Sequence, residues 1–271
     1  MPKHRRHRAV TLALIISLTL ALCLQYLIGD IGTALLHFPI NAIAVALLIL
    51  IGSLCRHYNI LSKHSGIIVV VLWLLFSIFI GVIPQGRLST PSIITKLGLH
   101  SLWDSWLYLW LSSWSIISIS ATLTNNKLSA LLFRLGVMLF VIFLSWGRYD
   151  NTEGRAIARA IGPDNLITTS DGKGKELPFT YQYLVTDISH HNVATIKLDN
   201  ITTTISANHP AHHKGYDIYL VTTDRQQPLN PRYAVLLIVK EPWKPIAIAA
   251  ILMIISGVIC HFISKPLNHD K

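Results

Sequence analysis

Long apolar runs separated by short polar segments fill the first 146 residues of the chain, and one more lies near the C-terminus. Each approaches the length of about 20 residues that a helix needs to cross the hydrocarbon core of a bilayer. The pattern therefore predicts an integral membrane α-helical protein with about six transmembrane helices. We place them at residues 9–29, 34–54, 66–84, 103–122, 129–146 and 245–263, the third and fifth being near the short limit.

A different pattern occupies residues 147–243, between the fifth and sixth runs. In the segment 177–184 apolar and polar residues alternate, which places the apolar ones on one face of an extended strand, and 233–239 is nearly all apolar. Clusters of turn-forming residues separate these segments. We predict a β-rich domain inserted before the last helix, with a short helical stretch possible at 153–161.

Charge predicts the orientation of this arrangement. Only 13% of the residues are charged, whereas soluble domains carry about a quarter. Lys and Arg concentrate in the first eight residues and in alternate short loops, which predicts cytoplasmic N- and C-termini. The expected plan is a five-helix region (1–146), an extracytoplasmic β-rich domain (147–243), and a closing helix with a short cytoplasmic tail (244–271). Such a chain is a multi-pass protein of the inner (cytoplasmic) membrane.

The net charge of +10 is not a nucleic-acid signature. Residues 147–243 carry ten basic and ten acidic side chains, so the excess lies in the membrane part. Basic loops there orient the protein and meet anionic membrane lipid. No nucleic-acid motif accompanies them, and we expect no nucleic-acid partner.

The cysteines exclude several redox functions. Cys23, Cys55 and Cys260 lie within or at the ends of apolar runs, and residues 147–243 contain none. This excludes a disulfide framework, a Cys-x-x-Cys pair and a Cys-x-x-Cys-His haem attachment site in this chain.

A tryptophan stripe marks the fourth apolar run. Trp103, Trp106, Trp110 and Trp114 follow one another at steps of three and four, which places them on one face of a helix. Four indoles could line a flat hydrophobic ligand such as a porphyrin. Alternatively, the first two form an interfacial belt and the deeper two pack against a neighbouring helix, and we favour this explanation.

Two histidines lie near the predicted outer end of the helices. His37 opens the second run and His100 precedes the tryptophan stripe, so both imidazoles are expected at similar depth. Two axial imidazoles on a haem iron require such a facing pair. The alternative is that both rings lie shallow enough to meet water.

Other candidate chemistry is weaker. His209, His212 and His213 resemble a metal cluster, but Pro210 and Gly215 place them in a turn, and no carboxylate or cysteine completes a ligand set. We expect a solvated loop there. Phosphate-binding, nucleotide-binding and hydrolase motifs are absent from the sequence, and we find no catalytic constellation among its residues.

One further motif lies in the C-terminal part of the chain, and it consists of Asn208, Pro210, Gly215, Tyr216, Tyr219, Asp224, Pro242 and Trp243. Through these residues the C-terminal part resembles the end of ResB proteins, which are membrane components of system II cytochrome c assembly. The similarity covers about sixty residues and continues into the Gly257-containing last helix. The segment from His37 to Asn41 and the tryptophan-rich fourth helix are similar to the compact form of Bacteroides-like bacteria.

The resemblance implies a role in passing haem b to apocytochrome c at the outer face of the membrane. The implied partner is a Trp-rich haem-handling membrane protein, which would carry any haem lyase activity. For binding in this chain the candidates are His37, His100, Trp106 and Trp110. Arg134 departs from the family, because it stands where a His-Leu-Gly is common. The alternatives are a scaffold subunit that binds no haem, or an unrelated small transporter or membrane enzyme.

Overall fold

The computed structural model describes residues 3–29, 31, 36–57, 63–82, 102–123, 127–169, 172–186, 193–224 and 232–264. The chain divides into two compact units. One is helical and comprises Met1–Asp150 with Trp243–Lys271; the other is a β unit, Asn151–Pro242. Residues 147–150 and Trp243 belong to the helical unit.

The described part of the helical unit contains six α-helices at the positions of the apolar runs. Four of them are long and apolar enough to cross a membrane, over Val10–Ile28, Ile40–His57, Leu128–Ser145 and Lys244–Ile263. The chain is therefore membrane-associated by the length and composition of its helices. The helices are α1 (Lys3–Ile28), α2 (Ile40–His57), α3 (Lys63–Val82), α4 (Trp106–Thr122), α5 (Leu128–Ser145) and α6 (Lys244–Ile263).

The remaining two helices have shorter apolar segments than these four helices. The apolar stretch found in α3 is Ile67–Ile78, and α4 has 17 residues. Helix α4 nevertheless packs against α1, α2, α3 and α5, and most of its central residues are buried. The buried serines Ser112, Ser115 and Ser120 donate to backbone carbonyls one turn earlier, which satisfies their hydroxyls. Six spans stay a prediction.

Helices α5 and α6 form the closest pair of the unit. A Cβ added at Gly136 would lie 2.8 Å from the carbonyl oxygen of Ala250, and one added at Gly257 would lie 2.6 Å from the backbone nitrogen of Phe133. Small residues therefore let the two backbones approach, as in many membrane helix pairs. The outward face of α6 exposes large apolar side chains, including Leu252, Ile255 and Ile259.

The β unit is one eight-stranded antiparallel sheet. Its order is β5-β4-β3-β2-β1-β8-β7-β6, so each strand from β1 to β5 and from β6 to β8 pairs with its sequence neighbour, and β8 returns to β1. Since β5 and β6 also lie together, the sheet forms a nearly closed barrel. The strands are β1 (Thr152–Arg159), β2 (Asp164–Thr169), β3 (Gly174–Thr186), β4 (Val193–Leu198), β5 (Ile201–Ser206), β6 (Ala211–His213), β7 (Tyr216–Thr223) and β8 (Tyr233–Lys240).

Alternating side chains fill the interior of this barrel. On β3, Leu177, Phe179, Tyr181 and Tyr183 are all buried, which confirms the face predicted from period two. The buried hydroxyl of Tyr181 donates to the carbonyl of Leu166. Desolvation and the nearby Asp164 carboxylate raise the pKa of Tyr181 to about 12.

The prediction of a possible helical stretch at 153–161 is wrong. Residues 153–159 of this stretch belong to β1, with Gly154, Ala156 and Ala158 buried and their neighbours exposed, and residues 160–161 form a bend. Small inward residues weakened the period-two signal in the sequence. Pairing with β8 along its whole length, and with β2 on the other side, decides the conformation of β1.

Candidate functional site

The most connected polar group of the helical unit is the carboxylate of Asp150. It ends a short 3-10 helix, residues 147–150, that follows α5 directly. Around it lie the residues that open α2 and the residue that precedes α6. We call His37, Phe38, Asn41, Asp150 and Trp243 the Asp150 cluster.

Four donors converge on this carboxylate. Oδ1 accepts from the backbone N–H of Phe38 at 2.8 Å, and His37 Nδ1 lies 3.4 Å from the same oxygen. Oδ2 accepts from Asn41 Nδ2 at 2.7 Å and from the indole Nε1 of Trp243 at 2.6 Å. One acid therefore joins three segments that are far apart in sequence.

The environment keeps Asp150 ionised. Burial of the carboxyl group opposes ionisation, but the hydrogen bonds from its four donors together outweigh it and hold the pKa of Asp150 below its usual value. The side chain of Asp150 is 9% exposed, whereas that of His37 is 50% exposed. The cluster thus presents an accessible imidazole held by a sheltered carboxylate.

Close packing places Trp243 in the cluster. A Cβ added at Gly147 would lie 2.8 Å from the indole Cγ of Trp243, so only glycine leaves room for this ring. The next residues, Lys244 and Pro245, begin α6, where proline at the first turn is well tolerated. Gly147, Asp150 and Trp243 therefore pack together at one end of the helical unit.

A second charged pair lies at the same end. Arg148 Nη2 is 3.1 Å from Asp104 Oδ1, and its guanidinium lies 5.3 Å from the ring centre of Trp103 and 5.7 Å from that of Tyr149. Desolvation raises the pKa of Tyr149, with the charge of Arg148 opposing it. Arg148 is thus held by one carboxylate and two aromatic rings.

The predicted ligand residues have different surroundings. His37 belongs to the Asp150 cluster, and His100 lies outside the described residues. The indole N–H groups of Trp110 and Trp114 donate to Ser17 Oγ on α1 at 2.9 and 3.1 Å. Trp106 is partly buried at the start of α4, and its indole N–H has no acceptor among the described residues.

The family-motif residues before β7 shape a hairpin. Asn208 and Pro210 lie in the bend between β5 and β6. Lys214 and Gly215, with φ of 47° and 80°, form the two-residue turn from β6 to β7. Two successive positive φ values match the twist of a tight hairpin and favour glycine.

The later motif residues lie on β7 and at the end of the β unit. Tyr216 is buried, with its ring edge-on to Phe179 and Lys240 Nζ 5.2 Å from its centre. Tyr219 is half-buried on the same strand, and Asp224 is buried just after it. Pro242 is the last residue of the unit. These positions support the barrel, and their meaning as a family motif stays a prediction.

The histidines at 212 and 213 pair with carboxylates of the barrel. They lie on β6, so their side chains point to opposite faces: His212 pairs with Asp217, and His213 Nε2 is 2.9 Å from Asp199 Oδ2. The expected solvated loop is thus in part a short strand. Among the residues that the structure describes, no group of three or more His, Cys, Asp or Glu side chains could hold a metal ion.

Arg134 closes the end of a neighbouring helix. Its Nη1 donates to the carbonyl of Thr122, the last residue of α4. A cation at a helix C-terminus stabilises the unpaired carbonyls and the dipole there. This contact provides a partner for a charge within an apolar run.

Sequence reasoning missed Asp150 and Asn41. The signal for Asp150 was a lone acid directly after the fifth apolar run, and that for Asn41 was an amide within the second run. Polar residues in such places are costly unless paired. Neither signal identifies the partner.

Comparison with known proteins shows no matching family model and no curated protein that matches the chain. The arrangement itself defines a membrane-associated helical unit joined to a β-barrel-like unit. At its polar end an accessible histidine is bound by a buried carboxylate. Chemically, this cluster can offer one imidazole nitrogen to a ligand or metal centre.

Proposed function

We propose that this protein is a component of a system II type cytochrome c maturation machinery and assists haem delivery to apocytochrome c. In this proposal it crosses the inner membrane six times, with both termini in the cytoplasm and the β unit outside. A Trp-rich haem-handling membrane protein is its partner and carries any lyase chemistry.

The observation that carries the proposal is the Asp150 cluster. The resemblance to ResB proteins directs attention to His37, and the structure surrounds this residue with features that suit a ligand. Its ring is half exposed, and a carboxylate binds its Nδ1 side. Metal-bound histidines usually donate their other ring N–H to such an acceptor.

The residues present fit a haem in part. Haem supplies an iron whose axial positions accept imidazole nitrogens. His37 would hold one such position through Nε2. Arg148 could meet a propionate, although Asp104 already neutralises part of its charge. The second ligand in this proposal is His100, or a histidine of the partner protein.

A scaffold function is the second candidate, and the tryptophan stripe favours it. Trp110 and Trp114 both donate to Ser17, so these two indoles hold α1 against α4. A stripe engaged in helix packing leaves less surface for a porphyrin. In this alternative the protein holds its partner or the apocytochrome and binds no haem.

An absorption spectrum of the full-length protein, purified alone and with its partner, separates the two candidates. We expect a low-spin haem spectrum with two imidazole ligands. His37→Gly should lose it, and added imidazole should partly restore it by filling the vacant position. His57→Gly, at the opposite end of the same helix, is the matched control and should keep the spectrum. Protein that binds no haem in either preparation, yet supports maturation, would favour the scaffold.

A further inference from the structure

The hydrogen bonds of Asp150 determine which ring nitrogen of His37 carries the proton. Two of the groups that contact the carboxylate can only donate a hydrogen bond and can never accept one. The backbone N–H of Phe38 and the indole N–H of Trp243 have no lone pair to offer. Each carboxylate oxygen therefore already accepts from an obligatory donor.

The orientation of the Asn41 amide is equally determined. Its Oδ1 accepts from the backbone N–H of Ala42 at 2.8 Å, and its Nδ2 donates to the carbonyl of Trp146 at 3.3 Å. Exchanging the two ends would place N–H against N–H and oxygen against oxygen. Nδ2 must therefore face Asp150, as the third donor.

A carboxylate that accepts from three such donors can only accept from the fourth neighbour. His37 Nδ1 must then carry a hydrogen, and in the neutral ring Nε2 must carry the lone pair. The Nδ1 side of the ring faces a largely buried acid, and the ring itself is half exposed. The protonated nitrogen is thus selected by a carboxylate 113 positions away in the chain.

We propose that Asp150 is a positioning residue that holds His37 as the Nδ1–H tautomer and so makes Nε2 a ligand for an iron porphyrin. This inference rests on the proposed function for the identity of the ligand. Its part concerning the tautomer stands on the geometry of the Asp150 cluster and can be tested without haem.

The tautomer is read from nitrogen NMR of full-length protein labelled with ¹⁵N-histidine in lipid nanodiscs. The pH is raised until the His37 signals no longer change, so that neutral rings are compared. His37→Gln identifies the signals. We expect the wild-type ring to be protonated on Nδ1. In Asp150→Ala the preference for Nδ1–H should fall about tenfold, the loss expected for a hydrogen bond to a charged group.

Asp150→Asn provides a second variant that keeps the shape of the side chain. Its NH₂ group must face one pair of donors, so the preference should fall, though less than in the alanine variant. If the alanine variant does not fold, the tautomer of His37 in the asparagine variant tests the role of Asp150. Asp104→Asn, which removes another acid described at this end, is the control and should leave His37 unchanged.

The haem part is tested on the complex purified with its partner. Asp150→Asn should weaken haem retention roughly 10-fold and raise the midpoint potential, because a histidine that donates to a carboxylate is a stronger ligand for ferric iron. A merely structural loss would lower retention without changing the potential of the haem that remains.

The outcomes separate the two proposals. An unchanged tautomer in the folded Asp150 variants, or an equal change in Asp104→Asn, overturns the positioning role. A normal haem spectrum in His37→Gly overturns His37 as ligand, even where the tautomer depends on Asp150. An altered tautomer together with an unaltered potential also overturns the inference, because the carboxylate then has no effect on the iron.

Discussion

At the scale of single residues, a few polar side chains join segments that are distant in sequence. Asp150 joins the start of α2, the end of α5 and the start of α6. Ser17 joins α1 to two indoles of α4, and Asp199 joins three parts of the barrel. In each case one acceptor serves several donors, so a single substitution leaves more than one polar group unpaired.

Asp199 makes the stability of the barrel dependent on pH. Its carboxylate is hydrogen-bonded by the backbone N–H of Thr180 and by the side chains of His213 and Lys214. These contacts hold the pKa of Asp199 well below the usual value of about 3.9. Because the folded-state pKa is lowered, the stabilisation is present above the unfolded-state pKa. It is lost as the pH falls through the folded-state pKa.

We therefore expect Asp199→Asn to lower the thermal midpoint of the barrel at neutral pH. Asn tolerates the positive φ of 51° at this position, so the turn should persist. The difference from wild type should shrink as the pH falls below about 4. Thermal unfolding of the full-length protein, followed by the infrared band of the sheet, measures this difference in midpoint. Glu176→Gln, on the exposed side of β3, is the control; a difference that is independent of pH would contradict the prediction.

Ser17→Ala tests the packing function of the tryptophan stripe. The substitution removes the only acceptor described for the indoles of Trp110 and Trp114, and it should destabilise the protein by about 1–3 kcal/mol. Thermal unfolding in detergent, followed by tryptophan fluorescence, measures the loss. Thr19→Val is the control, because Thr19 is exposed and bonds only its own helix among the described contacts. Equal stability of the two variants would contradict this function.

At the scale of elements, the α5–α6 pair depends on backbone contact. Gly136 and Gly257 bring the helices so close that an added Cβ would meet backbone atoms, which cannot move aside as a flexible side chain can. Van der Waals packing of this kind stabilises helix pairs in lipid, where burial of apolar area gives no driving force. The pair determines where the end of α5 lies relative to the start of α6.

We expect Gly257→Ala to destabilise the helical unit by about 1–3 kcal/mol, the usual cost of overpacking. The Cβ would lie 2.6 Å from Phe133 N and 2.9 Å from the carbonyl oxygen of Ser129. Unfolding in mixed detergent micelles measures the change. Ala249→Val adds bulk on an exposed face of the same helix and should be nearly neutral. A stable Gly257→Ala variant would show that the helices can separate without loss.

At the scale of the whole molecule, the chain combines two compact units. The helical unit exposes large apolar side chains on its outer faces, as a lipid environment requires. The β unit instead buries its apolar residues inside a sheet. Both crossings between the units occur beside members of the Asp150 cluster, at residues 150–151 and 242–243.

The orientation in the membrane is a prediction from the basic loops. Reporter fusions after residues 62 and 270 should report the cytoplasm, and fusions near residues 90 and 170 should report the outside, because Lys and Arg are retained on the cytoplasmic side. Paired alkaline phosphatase and fluorescent protein fusions provide the measurement and its internal control. A cytoplasmic signal at residue 170 would contradict the proposed function, which places the β unit and haem attachment outside the cytoplasm.

Much of the fold follows from local patterns. Apolar length predicted the positions of the six α-helices that the structure describes, and period two predicted the inward face of β3, because the burial of a side chain depends on its own chemistry and spacing. The barrel was not predicted, since its near closure depends on the pairing of β1 with β8, almost 80 residues apart. The small inward residues of β1 carry no such information.

For the candidate site, the sequence by itself identified His37 as a polar residue at the start of an apolar run. It also identified Trp243 as the residue beside the last helix. Only the tertiary structure decided that both contact Asp150, and that Arg134 and Trp110 instead bind groups on neighbouring helices. The physical reason is that hydropathy acts residue by residue, whereas a hydrogen bond requires two groups within about 3 Å, and helix packing alone sets that distance.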